Sequence, residues 1–330
     1  MNFETDFIKD LKSKFELKKY GRGKDKNLSE NSIKLYIRNL EKLNDDMPIK
    51  NLNFLKDIEN IENKLTNYKE NTKRGYLISI CSALSTDKTT KPKQKLYEEY
   101  YKLLSSKNNE LKTQEGKNEM TEQQKENWIT WDDVKTNFNE LEEKVNKFKN
   151  LKEINEHNYN TLLQYVILAL YFFKPPRRNI DYYKMVIVRT YSQDLPITTN
   201  YLDYDNKEFI FNIYKTSKSE GIQHEKIPDD LMNVINIYLK FHPEGKIIIN
   251  KKLKKISFVP FLVYYNGQPF DKVNSITRIL NKIFDKSVGS SMLRHIFLSN
   301  KYGDVIKEQK EDAEAMGHSL AQQKDYIKVK

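Results

Sequence analysis

Four short segments in the second half of the chain carry residues that could bind or attack a phosphate ester. They span 175–181, 214–218, 291–295 and 316–328, and contain in order arginine, lysine, arginine, histidine and tyrosine. A guanidinium is always protonated and donates a planar fork of hydrogen bonds, which suits phosphodiester oxygens. A lysine can donate a proton, and a tyrosine can form a covalent intermediate. Each segment alone has an ordinary structural explanation, so the inference depends on all of them together.

The first two segments resemble the arginine turn and the hairpin lysine of the tyrosine recombinase family. Pro-Pro-Arg-Arg-Asn-Ile-Asp is similar to a turn in which an acidic residue follows the catalytic arginine by three positions. Asp181 follows Arg178 in this way, so the resemblance favours Arg178 over Arg177. Tyr-Lys-Thr-Ser-Lys follows a predicted strand and is similar to the hairpin segment. It favours Lys215, with Lys218 as the second choice.

The other two segments resemble the His-x-x-Arg and Leu-Gly-His-Ser boxes of the same family. In Ser-Met-Leu-Arg-His the second arginine is Arg294, and Ser291 stands where the family has histidine or lysine. Met-Gly-His-Ser contains His318, and Tyr326 follows at the place of the nucleophile. The interval from His318 to Tyr326 is one residue shorter than the family pattern, so we expect a different turn between them.

The resemblance implies a role for each of these side chains. Arg178 and Arg294 would neutralise the nonbridging oxygens of the pentavalent transition state, and His318 would donate a further hydrogen bond to them. Lys215 would protonate the leaving 5′ oxygen as general acid. Tyr326 would attack phosphorus and conserve the bond energy as a 3′-phosphotyrosine, so rejoining would need neither ATP nor another cofactor.

The sequence leaves open which group accepts the proton of the Tyr326 phenol. The histidine of the His-x-x-Arg box often helps in the family, and Ser291 is not a comparable base. His295 lies one residue after Arg294, about 100° around a helix, where packing would explain it equally well. Because Ser291 stands in place of that histidine, one alternative is a related protein that binds DNA without catalysing a reaction. A type IB topoisomerase, which shares the chemistry but acts as a monomer, is the other alternative.

Charge and composition fit a nucleic-acid partner. The chain has 57 Lys and Arg against 46 Asp and Glu, a net charge of +11 that both halves share. Such an excess favours a polyanion. The single cysteine, Cys81, excludes an intramolecular disulfide and a multi-cysteine zinc site, and the five histidines lack the spacing of metal ligands. Because no apolar run is long enough to cross a bilayer, we expect a soluble intracellular protein without a membrane partner.

The second domain, predicted over 128–330, must position the candidate residues. Thr130 and Asp133 predict a helix start, and two prolines after the apolar run 158–173 predict a helix end. β-Forming residues between turns predict a small antiparallel sheet within 201–228. Further helices are predicted over 229–240, 272–284, 290–301 and 305–316, the last ending at Gly317.

The first domain, predicted over 1–106, reads as a bundle of helices at 2–17, 29–43, 55–68 and 71–84. The resemblance implies a core-binding, SAM-like domain that contacts DNA. Between 107 and 127 almost nothing apolar is available for burial, which predicts a polar linker. Candidate phosphate contacts in this domain are Lys73, Arg74, Lys91 and Lys93, with Lys95 beside them.

The predicted fold is therefore mainly α with a small antiparallel β-sheet. It combines a helical N-terminal DNA-binding domain with a tyrosine-recombinase catalytic domain. The resemblance implies a site-specific recombinase, an integrase of a virus or other mobile element, that clamps a double-stranded recombination site. A homo-tetramer on DNA is the implied assembly, although the four residues after Tyr326 are few for the exchange of C-terminal tails between subunits.

Overall fold

The chain divides into two compact units, Met1–Glu119 and Met120–Lys330. The division lies within 107–127, the segment that was predicted as a linker, but helices occupy most of what is described there. The computed structural model describes residues 5–17, 19–20, 26–115, 120–249 and 258–327. No helix within these ranges is long and apolar enough to span a membrane.

The first unit is helical, as the sequence predicted. Its helices are α1 (Asp6–Leu17), α2 (Glu30–Leu43), α3 (Ile58–Leu65), α4 (Glu70–Leu84) and α5 (Lys91–Glu115). A short 3-10 helix covers Asn53–Lys56, and two-residue strands β1 (Lys19–Tyr20) and β2 (Lys26–Asn27) pair antiparallel. The predicted helix at 55–68 is shorter because Asp57 caps α3 by accepting a hydrogen bond from the Asn60 amide. Residues 2–4 of the first predicted helix lie outside the described ranges.

Helix α2 presents its apolar face to α4, which is the centre of the first core. Ile33, Ile37 and Leu40 are buried, and Ser29 caps the helix by accepting a hydrogen bond from the Ser32 amide. Helix α5 packs on α4 and was not among the predicted helices, the last of which in this unit ended at residue 84. Its Lys, Glu, Gln and Leu residues are strong helix formers, so the helix continues after Leu104, the last buried residue among its described side chains.

The second unit has ten helices among its described residues, and half of them have seven residues or fewer. They are α6 (Glu122–Asn127), α7 (Trp131–Asn146), α8 (Glu156–Phe172), α9 (Asn179–Tyr182), α10 (Ser217–Glu220), α11 (Asp229–Phe241), α12 (Gly245–Ile249), α13 (Asn274–Phe284), α14 (Ser290–Ala315) and α15 (Leu320–Tyr326). Thr130 and Asp133 form the predicted capping box of α7. Helix α8 lies at the centre, buried on all sides and packed against α7, α11 and α13.

A five-stranded sheet covers one side of this core. Its strands are β3 (Val186–Val188), β4 (Tyr201–Asp203), β5 (Glu208–Phe211), β6 (Gln223–Lys226) and β7 (Val259–Pro260), in the spatial order β6-β5-β4-β3-β7. The predicted antiparallel sheet within 201–228 matches β4, β5 and β6. The full sheet is mixed, however, because β3 pairs parallel to β4. Pairing of such a short strand depends on distant partners, which local sequence does not specify.

Helix α14 corrects a second expectation. The sequence predicted two helices, at 290–301 and 305–316, but a single helix of 26 residues runs from Ser290 to Ala315. Gly303 lies in its middle and does not break it, because one glycine costs a helix only about 1 kcal/mol. The helix ends as predicted at Gly317, which adopts a left-handed φ of 73°.

Candidate active site

Arg178 lies at the start of α9, in a turn that is held on three sides. The Tyr171 hydroxyl of α8 donates to the Asn179 side-chain oxygen at 2.9 Å, and the Asn179 amide donates to Thr277 Oγ1 of α13 at 2.7 Å. Arg178 is half-buried, and its guanidinium makes no hydrogen bond or ion pair within the described ranges. The turn therefore positions a guanidinium that is available to a ligand.

Arg177, the neighbouring candidate, is engaged in the fold instead. Its Nε donates to Asp181 Oδ2 at 2.9 Å, and its Nη1 bonds to Gln223 at 3.0 Å and to the Glu225 carboxylate. The guanidinium also lies 3.8 Å from the centre of the Phe211 ring. Arg177 thus ties the turn to strands β5 and β6. Asp181 pairs with this arginine. Burial is the main cause that raises the pKa of the Asp181 carboxyl above its usual value.

Arg294 lies in the second turn of α14 and is electrostatically coupled to Arg178. Burial is the largest cause that lowers the pKa of Arg294, and the positive charge of Arg178 lowers it further. Asp181 and Tyr171 act in the opposite direction. The Arg294 Nε is buried and has no hydrogen-bond partner among the described residues. An anion bound between these two guanidiniums would relieve their repulsion, so the pair has the chemistry of a phosphate site.

Lys215 lies in the connection between β5 and β6, which form an antiparallel hairpin. Asn200 links this connection to the arginine turn: its amide nitrogen donates to Ile213 O at 2.8 Å and to Asp181 O at 3.0 Å. Asn200 Oδ1 accepts from the Ile213 amide at 2.7 Å. Lys215 is exposed and free of ion pairs within the described ranges. Sequence reasoning missed Asn200, because no local signal distinguishes a polar residue that bridges two distant segments.

Three further candidates, Lys218, Ser291 and His295, occupy solvent-exposed positions. Lys218 lies in α10, within the same hairpin connection as Lys215. Ser291 accepts a long hydrogen bond of 3.4 Å from Arg294 Nη2, and both Ser291 and His295 line a cavity beside α6. His295 therefore faces α6, and among the described residues no contact places it beside Tyr326.

His318 and Tyr326 form a pair at the far end of α14. The His318 amide donates to Ala313 O at 3.0 Å, and Ser319 starts α15 with a capping box. The two rings stack with centroids 5.6 Å apart and planes within 19°. His318 Nδ1 is buried and lacks a partner among the described residues, whereas Tyr326 is 73% exposed. The phenol is open to a ligand.

The two pairs do not meet within one chain. Ala315 lies 21 residues after Arg294 in an unbroken helix, which corresponds to about 30 Å at about 1.5 Å per residue. His318 lies only three residues after Ala315. Tyr326 stacks on His318, so neither side chain returns to Arg294. The structure brings Arg178 together with Arg294, and His318 together with Tyr326, but separates the two groups.

The predicted phosphate contacts of the first unit are mostly paired with neighbours. Lys73 bonds to Glu70 at 2.8 Å, Arg74 to Asn108 at 2.5 Å, and Lys93 to Asp87. Lys91 is exposed. The pairs made by Lys73 and Lys93 are surface ion pairs, which contribute at most about 1 kcal/mol, so phosphates can displace them.

Comparison with known proteins found no counterpart: no family model, no curated protein and no solved structure matched this chain. Within the described ranges, no group of three or more His, Cys, Asp or Glu side chains could hold a metal ion.

Proposed function

We propose that this protein breaks and rejoins DNA through a covalent bond between Tyr326 and a backbone phosphate. One observation carries the proposal: Arg178 and Arg294 come from distant parts of the sequence and lie within electrostatic reach of each other. Neither is neutralised by an ion pair within the described ranges. Two adjacent, half-buried guanidiniums are costly unless an anion binds between them.

A phosphodiester fits this pair better than a carboxylate does. The attacked phosphate passes through a pentavalent state in which negative charge builds up on two nonbridging oxygens, and each guanidinium can donate to them. Lys215 lies on a connection that Asn200 joins to the arginine turn, so its ammonium can reach the leaving 5′ oxygen as general acid. The remaining phosphate would be held on Tyr326 until a 5′ hydroxyl displaces it.

The proposed substrate is double-stranded DNA at a recombination site, recognised by both units. The net charge of +11 supports a polyanion, and the lysines of the first unit can exchange their carboxylate partners for phosphates. Affinity should therefore fall steeply as the salt concentration rises. The wide separation of the two residue pairs favours recombination by several subunits over a topoisomerase that acts as a monomer.

Covalent capture tests the proposal. The protein is incubated with a nicked suicide duplex, which loses the leaving strand after cleavage, and a denaturation-resistant adduct is measured on a gel. We expect an adduct with the wild type and none with Tyr326→Phe, while Tyr265→Phe, another exposed tyrosine, behaves as the wild type. Supercoil relaxation without strand exchange would instead support a type IB topoisomerase activity. DNA binding without an adduct on any sequence would support the alternative of a DNA-binding protein without catalytic activity.

A further inference from the structure

One cavity in the first unit is not needed by the proposed function. It has a volume of about 550 Å³ and is formed by residues of α1, of the 3-10 helix and the segment before it, of the end of α4 and of the start of α5. Cavities that bind small molecules usually measure about 300 to 1,000 Å³. This space, called the α1–α5 cavity below, therefore has the size of a ligand site.

The floor of the α1–α5 cavity is apolar and reaches the core of the first unit. Leu11 and Ala83 line it and are buried. Phe7, Leu52 and Leu96 also line it, and these partly buried side chains pack against the same core. Each Å² of apolar surface removed from water contributes about 25 cal/mol, so an apolar ligand would be stabilised on this floor.

The rim of the cavity is charged, and its lysines outnumber its carboxylates. The charged residues of the rim are Lys14, Lys56, Lys93 and Lys95 with Asp10, Asp87 and Glu99. Lys14 pairs with Asp10 at 2.7 Å, and Lys93 pairs with Asp87. The hydrogen bond from Lys93 is the largest cause that lowers the pKa of Asp87 to about 2. Both of these carboxylates are therefore already neutralised by a lysine.

Two lysines of the rim remain without a carboxylate partner. Lys56 on the 3-10 helix and Lys95 on α5 are exposed and make no ion pair within the described ranges. Glu99 is the remaining carboxylate of the rim. The charges that are left are thus two positive against one negative, and such a rim favours a ligand with an anionic group.

Neither DNA nor a protein helix fits both parts of the cavity. A phosphate backbone could contact Lys93 and Lys95 at the rim, but its hydrated oxygens gain nothing from aliphatic side chains on the floor. An α-helix with its side chains is about 10 Å wide and rises about 5.4 Å per turn. A volume of about 550 Å³ holds little more than one such turn, so a small molecule is the better occupant.

We propose that the α1–α5 cavity binds an amphipathic small molecule that has an apolar chain and one anionic head group. The chain lies on the floor against Leu11, Ala83 and Leu96, and the head group pairs with Lys56 and Lys95. A carboxylate and a phosphate ester share this head-group chemistry. The inference is independent of the proposed function, because no step of DNA cleavage uses the cavity.

Binding of alkyl ligands to the full-length protein tests the inference. Decanoate, decyl phosphate and uncharged decanol have the same chain, and each is titrated below its micelle concentration while the heat of binding is measured. We expect one molecule of decanoate or of decyl phosphate per chain. Decanol should bind about 10-fold more weakly, because it makes no charged contact with a lysine. The tighter of the two anions identifies the head group.

Two results of this titration would overturn the inference. If neither anion binds in a saturable manner, the cavity is not a ligand site. If decanol binds as tightly as both anions, the rim does not select an anionic head group.

A variant that fills the cavity tests the location of the ligand. Leu96→Trp places a larger side chain on the floor and should abolish binding. Leu35→Trp on α2 is the matched control, because Leu35 is 53% exposed and lies outside the cavity, and it should keep the wild-type affinity. Circular dichroism verifies that both variants are folded. Wild-type affinity of Leu96→Trp would place the ligand elsewhere and contradict the proposal.

A double variant of the exposed lysines tests the head-group contact without changing the core. Lys56→Gln with Lys95→Gln should weaken the binding of decanoate about 10-fold and leave that of decanol unchanged. Lys69→Gln with Lys102→Gln removes the same charge from exposed lysines outside the cavity and should change neither affinity. An equal loss of decanoate binding in the two double variants would mean that net charge governs binding, and the head-group contact would be wrong.

Discussion

The two ends of α14 differ in how firmly their candidate residues are held. At the start of the helix, Arg294 lies against a turn that is bonded to α8, to α13 and, through Asn200, to the β5–β6 connection. At the other end, His318 and Tyr326 are held by a helix cap and by one ring stack, and Tyr326 is largely exposed. The arginine end is thus fixed by hydrogen bonds to three other segments, whereas the tyrosine end is held mainly within its own short segment.

The largest effect that tests this contrast should come from Arg178. Arg178→Ala removes one guanidinium that has no structural partner, so we expect the rate of adduct formation to fall about 100-fold or more. The free energy of unfolding should change by less than about 1 kcal/mol, since no ion pair is lost. An equal loss of stability and of activity would contradict its role as a ligand-binding residue.

The neighbouring arginine should show the opposite behaviour. Arg177→Ala leaves the Asp181 and Glu225 carboxylates without their partner in a mostly buried setting. We expect the free energy of unfolding in urea to fall by about 3 kcal/mol. Lys174, which bonds to Glu225 at 3.0 Å, can compensate in part. A stability loss below that of Arg178→Ala would reverse the assignment of the two arginines.

Acid should weaken the second unit through His242. This side chain accepts from the Glu244 amide and donates to Pro260 O, and burial lowers its pKa to about 4. An unfolded histidine titrates near 6.5, so the unfolded state takes up the proton first, and stability falls between pH 6.5 and pH 4. The fall amounts to about 3 kcal/mol. His242→Gln should flatten this dependence in urea titrations, whereas the exposed His157→Gln should not.

The smallest effect concerns the middle of α14. Gly303 has open space where a Cβ would lie, so Gly303→Ala should stabilise the helix by about 0.5 to 1 kcal/mol. Circular dichroism and thermal unfolding would record the gain. If the helix has to break at Gly303 to return Tyr326 to its own chain, the same variant should lose adduct. Unchanged or increased adduct would agree with an unbroken α14.

Local signals in the sequence explain the parts of the fold that were predicted. Ser29 and Thr130 cap helices, and Gly317 ends α14 with a left-handed residue, because each acts through hydrogen bonds within a few positions. The apolar spacing of Ile33, Ile37 and Leu40 likewise indicated the buried face of α2. Parallel pairing of β3 with β4, in contrast, joins strands whose short sequences carry no register information.

The amino-acid sequence by itself determined which residue types are available and in what order, and it indicated the helix ends on which they lie. Only the tertiary structure decided that Arg177 forms ion pairs with Asp181 and Glu225, while Arg178 stays available to bind a ligand. It also decided that Gly303 leaves α14 intact, which separates Tyr326 from Arg294. The pairing of Arg177 with Glu225 joins segments 48 residues apart, and no local pattern contains that information.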